Sequence, residues 1–294
     1  MRKALIQLHL AVFLWGFTGV LGRLISLDQA WLVWYRLLIT AVSLWVMYAL
    51  LKQVRKLSLR SVIYIGCIGS VQALHWVCFY GSIKYANVTI ALTTLSTSAL
   101  LAALIEPLVI KKKFDLVEIF LGLFAIAGIA VIYNTHLKFS VGILVGLLSA
   151  LLTVIVSVLN KKIVDDYRPE QITLYQLTGG FVGLTLLLPL YQYFFKEQHS
   201  MPQQWDWLWL LVLSWVCTIW TFFLYIRSLK QVSAFTMNLT LTLEPLYGIG
   251  LAFIFFRENE DFNSWFYIGF VLIALAVAVQ MWRILKPFGG KPVH

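Results

Sequence analysis

Apolar stretches about as long as a bilayer is thick recur along almost the whole chain, and nothing constrains its fold more. Ten of them, bounded by charge, Gly, Pro or Asn, fall at about 4–22, 30–51, 61–83, 87–110, 117–134, 141–160, 171–191, 207–227, 233–256 and 263–284. In lipid each backbone N–H and C=O must find a partner within the protein, so a span is a helix of about 20 apolar residues. Ten such spans with short connections use nearly all 294 residues. The expectation is therefore an all-α membrane protein with ten transmembrane helices. Only 12% of residues are charged, against about 25% in a soluble domain, which leaves no room for a soluble catalytic or nucleotide-binding lobe.

The formal net charge of +10 is scattered through short connections, whereas nucleic-acid binding needs basic residues gathered on one solvated face. Its distribution reads instead as membrane orientation. Connections on the N-terminal side hold 17 Lys and Arg: Arg2, Lys3, Lys52 to Arg60, Lys111 to Lys113, Lys161 to Arg168, Arg227, Lys230, and Arg283 to Lys291. The opposite side holds 5, namely Arg23, Lys84, Lys138, Lys196 and Arg257. Basic short loops stay inside, which places both termini in the cytoplasm. Trp31, Trp34, Trp205, Trp207, Trp209 and Trp265 fall at the outer ends of spans 2, 8 and 10, where amphipathic rings anchor at headgroup level. The start, Met1-Arg2-Lys3 and an apolar run, resembles a secretory signal but has no small-residue cleavage site, so it reads as an uncleaved first span. Cys67, Cys78 and Cys217 lie inside apolar stretches and imply neither disulfides nor a metal cluster.

An internal repeat organises these spans. Ser82-Ile83-Lys84-Tyr85-Ala86 aligns on Ser228-Leu229-Lys230-Gln231-Val232 at an offset of 146, and the same offset pairs Thr94-Leu95 with Thr240-Leu241. Five spans per copy is an odd number, so the second copy enters the membrane from the opposite side. The predicted organisation is a five-plus-five inverted-topology repeat, residues 1–136 and 137–288, with a short tail at 289–294. Many secondary transporters place a midplane site between such halves.

The phrases themselves are familiar. His9 to Arg23, Trp34-Tyr35-Arg36, Tyr80 to Ala86, Leu243-Glu244-Pro245-Leu246 and Phe256-Arg257-Glu258 resemble the EamA-type permeases of the drug/metabolite transporter superfamily over essentially the full chain. The resemblance implies a ten-helix permease of a bacterial-type inner membrane with a central cavity between its halves. It also implies small metabolites as cargo, often exported amino acids or related compounds. The first half departs from the pattern, with Ser98-Ala99 where the second has Glu244-Pro245 and Lys112 where the second has Glu258. The site is thus expected to be chemically asymmetric.

Glu244 falls about 11 residues into span 9, near the midplane. An ionisable side chain at that depth costs a few kcal/mol and marks a substrate or ion path, with hydrogen-bonded fastening between helices as the structural alternative. Low dielectric disfavours its charged form, which would suit proton coupling. Pro245 within span 9 predicts a bend that frees the Leu241 carbonyl. Polar stripes add candidates: Gln72, His75, Phe79 and Ser82 share a helix face, and their counterparts are Thr218, Thr221, Tyr225 and Ser228. Thr94 and Ser98 correspond to Thr240 and Glu244, while span 6 carries Ser149, Thr153, Ser157 and Asn160. Ser and Thr also hydrogen-bond between helices, at about 0.6 kcal/mol each, so part of this pattern has a packing explanation.

His75 could carry a proton or bind a carboxylate, or be a hydrogen-bonded core histidine. Trp15, Trp76, Tyr175, Trp220 and Tyr247 could stack on cargo or simply pack. Arg36 reads first as structural and second as a partner for a substrate carboxylate, and Glu106 as a partner of the lysines at the cytoplasmic end. Small residues at Gly122, Ala125, Gly128, Gly269, Ala274 and Ala278 mark spans 5 and 10 as a packing or dimer seam. The expected function is alternating-access transport of a small, amino-acid-like metabolite, outward and with protons as a coupling partner. No cofactor, metal or enzymatic activity is expected, and the oligomeric state is a monomer or homodimer. A flippase for lipid or another amphipathic molecule is the alternative; a sideways-open cavity would favour it.

Overall fold

The computed structural model describes residues 2–52, 56–110, 116–135, 137–163, 166–196, 198–224 and 243–285. They form α1 (Arg2–Leu24), α2 (Gln29–Leu50), α3 (Leu59–Tyr85), α4 (Val88–Leu95), α5 (Ser98–Ile110), α6 (Leu116–Thr135), α7 (Ser140–Ile163), α8 (Pro169–Phe195), α9 (Gln204–Leu211), α10 (Glu244–Phe256) and α11 (Ser264–Leu285). A π-helical stretch, Val212–Trp220, continues α9, and there is no strand among the described residues. Six helical segments are long and apolar enough to cross a membrane, and three shorter apolar helices, Ile119–Asn134, Glu244–Phe256 and Ser264–Ala276, accompany them. Large apolar side chains such as Leu186, Ile254 and Phe120 lie exposed on the outside, as a lipid-facing surface requires.

Span 4 is broken where an unbroken helix was expected. Asn87 starts α4 by accepting the Ile90 N–H at 2.9 Å. The Ser96 and Thr97 hydroxyls then donate to the Thr93 and Thr94 carbonyls, each at 2.6 Å. Such back-bonding competes with the helical ladder, and the chain turns before α5 restarts at Ser98. In the second half α10 begins at Glu244, the residue at the same offset of 146 from Ser98. Pro245 sits in the first turn of α10 as described, where its missing N–H needs no partner. Leu241 lies outside the described residues.

Packing follows a two-fold pattern. The first span packs on α10 while α7 packs on α4 and α5; α3 packs on α7 and α8 while the π stretch packs on α1 and α2; and α6 packs on α11. Glycine permits the closest approaches. A methyl at Gly69 would collide with the Gln176 carbonyl, and one at Gly179 with the backbone of Gly66, so α3 and α8 form a tight seam. Gly128 and Gly269 likewise bring α6 and α11 together, making the predicted small-residue seam a contact within the chain.

Candidate substrate-binding centre

Arg36 organises the interior. It lies eight residues into α2, is 3% exposed, and meets side chains of α3 and of the π stretch. Its Nε donates to Thr218 Oγ1 and its Nη1 to the Tyr80 hydroxyl, both at 3.0 Å. The guanidinium carbon stands 3.8 Å from the Trp76 ring centroid, a cation–π contact worth about 2 kcal/mol where water is excluded. The π stretch makes the first of these bonds possible. Its wider turn lets Thr218 Oγ1 donate to the Leu213 carbonyl at 2.8 Å while accepting from Arg36, and Ser214 Oγ donates to the Arg36 carbonyl at 3.1 Å. No carboxylate pairs with Arg36 among the described residues.

Two helix ties related by the repeat flank this hub. The Nδ1 of His75 lies 2.9 Å from both the carbonyl and the Oγ of Ser149, and Ser149 Oγ also donates to the His75 carbonyl at 3.1 Å. At offset 146 from His75 stands Thr221, whose hydroxyl accepts the Trp15 Nε1–H at 3.0 Å. One tie joins α3 to α7, the other joins the second-half counterpart of α3 to α1. The offset also pairs Gln72 with Thr218, the residue that holds Arg36.

Glu244 lies beside this centre. A methyl built at Gly16 would sit 3.0 Å from the Glu244 carbonyl and 3.0 Å from the Gly248 N–H, so the backbones of α1 and α10 touch one residue from Trp15. The carboxylate is enclosed by protein yet keeps accessible surface, and it has no hydrogen-bond or ion-pair partner among the described residues. Tyr247, one turn on, packs edge-on against Phe13 with ring centroids 5.8 Å apart.

Other candidates divide. Thr94 is buried and donates to the Ile90 and Ala91 carbonyls at 3.0 and 2.9 Å, tight against Gly146, while Ser98 is half-buried at the start of α5. The span 6 stripe does not line the interior throughout: Ser149 is buried, Thr153 and Asn160 are half-buried, and Ser157 is exposed. Glu106 falls within α5, with its side chain outside the described set. Tyr225, Ser228 and Thr240 lie outside the described residues, as do Lys111 to Lys113 and the tail 289–294.

At the predicted outer end three acids, Glu258, Asp206 and Asp28, are answered by protein groups. Arg257 adopts a left-handed conformation, φ 52°, which ends α10 and turns the chain; at a non-glycine residue this costs about 1–2 kcal/mol. The turn delivers Glu258, fully buried, to the start of α4. There its carboxylate accepts the Val88 and Thr89 N–H groups at 3.1 and 2.7 Å and pairs with Arg23 of α1. Asp206 accepts from Ser26 N, Ser26 Oγ and Gln203 N at 2.8, 2.5 and 2.9 Å, and Asp28 accepts from the Gln198 and His199 N–H groups at 2.8 and 2.9 Å. This collar binds the first half to the second. In the sequence Glu258 stood out as part of a phrase and as the counterpart of Lys112, but not as a fastening, and Asp206 did not stand out; an acid just past a span and a Q-x-x-D start to α9 were the available signals.

Comparison with known proteins decides the family. The EamA-like transporter family matches residues 2–134 and 140–280. The chain belongs to that family. An uncharacterized transporter of Haemophilus influenzae is 25% identical to this EamA-like chain, the match covering 93% of each. A solved structure described only as a crystal structure of a protein shares the fold, with TM-score 0.62 and 15% identity over 98% of this chain and 100% of the other. A multi-pass membrane transporter of small substrates is the function this membership carries.

Proposed function

We propose that this EamA-like chain exports a small, amino-acid-like metabolite across a bacterial-type inner membrane, with both termini cytoplasmic. Cargo is held between two five-span halves, 1–136 and 137–288, ten spans in all, and Glu244 is the group that meets the cargo amine or a coupling proton. The observation that carries this reading is that described helices begin at Ser98 and at Glu244, residues related by the repeat offset of 146, in an apolar bundle that buries Arg36 among polar side chains. Helix ends at corresponding places in two halves are the usual location of a transporter site. The two-fold packing pattern and the two blocks of the family match support the inverted repeat.

Alternating access follows from the same parts. The outer collar holds α1, α4, α9 and the segment after α10 together, which suits a state closed to the outside. Export requires that collar to part while the halves rock about the α3–α8 seam. The test is comparative mass spectrometry of the medium from cells expressing the wild-type chain or Glu244→Gln at matched membrane levels. An amino-acid-like metabolite that accumulates outside only with the wild type is the expected result. Equal accumulation with both removes Glu244 from the mechanism, and no accumulation with either overturns export.

A further inference from the structure

We infer that Arg36 and Glu244 together form a two-point receptor for a zwitterion, Arg36 taking a carboxylate and Glu244 an ammonium group. The inference rests on the transporter reading above and adds to it the residue that reads the acid end of the cargo. Three observations carry it. First, Arg36 is a buried, permanent cation whose hydrogen bonds go only to the neutral hydroxyls of Thr218 and Tyr80. Its five N–H donors are not exhausted by two bonds, and the Trp76 face offsets only part of the charge. A buried cation without a counter-ion is costly, and a substrate carboxylate supplies one.

Second, Glu244 is the complementary case, an enclosed acid with accessible surface and no partner among the described residues. Third, one chain of contacts joins the two: the Glu244 backbone meets Gly16 of α1, the neighbouring Trp15 donates to Thr221, Thr221 donates to the Thr218 carbonyl, and the Thr218 hydroxyl accepts from Arg36. Arg36 is held in place by Thr218, Tyr80 and Trp76, and no ion pair joins it to Glu244. A cation and an anion at the two ends of such a chain fit a molecule that carries the same two charges in reverse order. Such cargo enters with no net charge and neutralises both side chains at once. A purely apolar or singly charged cargo leaves one of them bare.

The test compares ligands on the purified full chain in detergent, read as thermal stabilisation. The twenty proteinogenic L-amino acids are the probes, followed by the carboxamide and N-acetyl derivative of each one that stabilises. At least one amino acid is expected to bind, with both derivatives weaker by about 10- to 100-fold, since each loses a charge-assisted contact. Arg36→Gln is expected to abolish the preference for acid over amide, and Glu244→Gln the preference for free amine over N-acetyl amine. If Arg36→Gln does not fold, the wild-type ligand comparison decides alone. Derivatives that bind as tightly as their parents overturn the assignment, as does failure of all twenty to bind. In either case a metabolite that still appears in the medium only with the wild-type chain keeps the transporter reading intact.

Discussion

Two buried acids occupy opposite circumstances in this molecule. At the outer rim, Glu258 is fully enclosed, and both its oxygens are taken by the first N–H groups of α4 and by Arg23. In the middle of the bundle, Glu244 begins α10 beside an arginine it does not touch, with no partner among the described residues. At the rim Glu258, Asp206 and Asp28 are each answered by protein groups, which makes it a fastening. At the centre charges are left for something else to answer, which is what a binding site requires. Burial alone does not separate these roles; the tally of partners does.

The contrast predicts a ranking of stability effects. Glu258→Ala leaves Arg23 without its partner and two N–H groups unsatisfied, an expected loss of about 3–5 kcal/mol. It should appear as a lowered unfolding temperature and as faster hydrogen exchange at the Val88 and Thr89 amides. Gly69→Ala forces a methyl against the Gln176 carbonyl in the α3–α8 seam and should cost about 2 kcal/mol by thermal unfolding. Unchanged stability there would show that the seam is looser than described. Asp206→Asn keeps the shape but turns one acceptor of the Ser26 and Gln203 contacts into a donor, for about 1–2 kcal/mol, read in the same way. Ser149→Ala removes the hydroxyl's contacts with the His75 ring and carbonyl yet leaves the His75 ring its Ser149 carbonyl partner, so about 1 kcal/mol is expected. Glu244→Gln removes no contact within the protein and should shift stability least, by about 0.5 kcal/mol or less.

Much of the helical plan was legible because lipid permits few solutions. A run of apolar residues long enough to span must be helical, and the described helices fall on the predicted stretches. The repeat offset was legible too, and it located Ser98 against Glu244 before any helix boundary was known. Local interruptions were not. The turn at Ser96 and Thr97 arises from hydroxyl back-bonding that hydropathy ignores, and the π stretch depends on what Thr218 and Ser214 meet on α2. Arg36 read first as structural because its surroundings come from α3 and the π stretch, far away in sequence. The rim acids escaped for the same reason: Glu258 and Asp206 reach across to partners 169 or more residues away, Val88, Thr89, Arg23 and Ser26.

The central claim is that the acid in the middle serves cargo while the acid at the rim serves the fold. Export and thermal unfolding measured side by side for Glu244→Gln, at matched membrane levels, test it most directly. The account predicts export lowered at least about tenfold with an unfolding temperature close to that of the wild type. A Glu244→Gln chain that exports normally, or one whose lost export tracks an equivalent loss of stability, would contradict it.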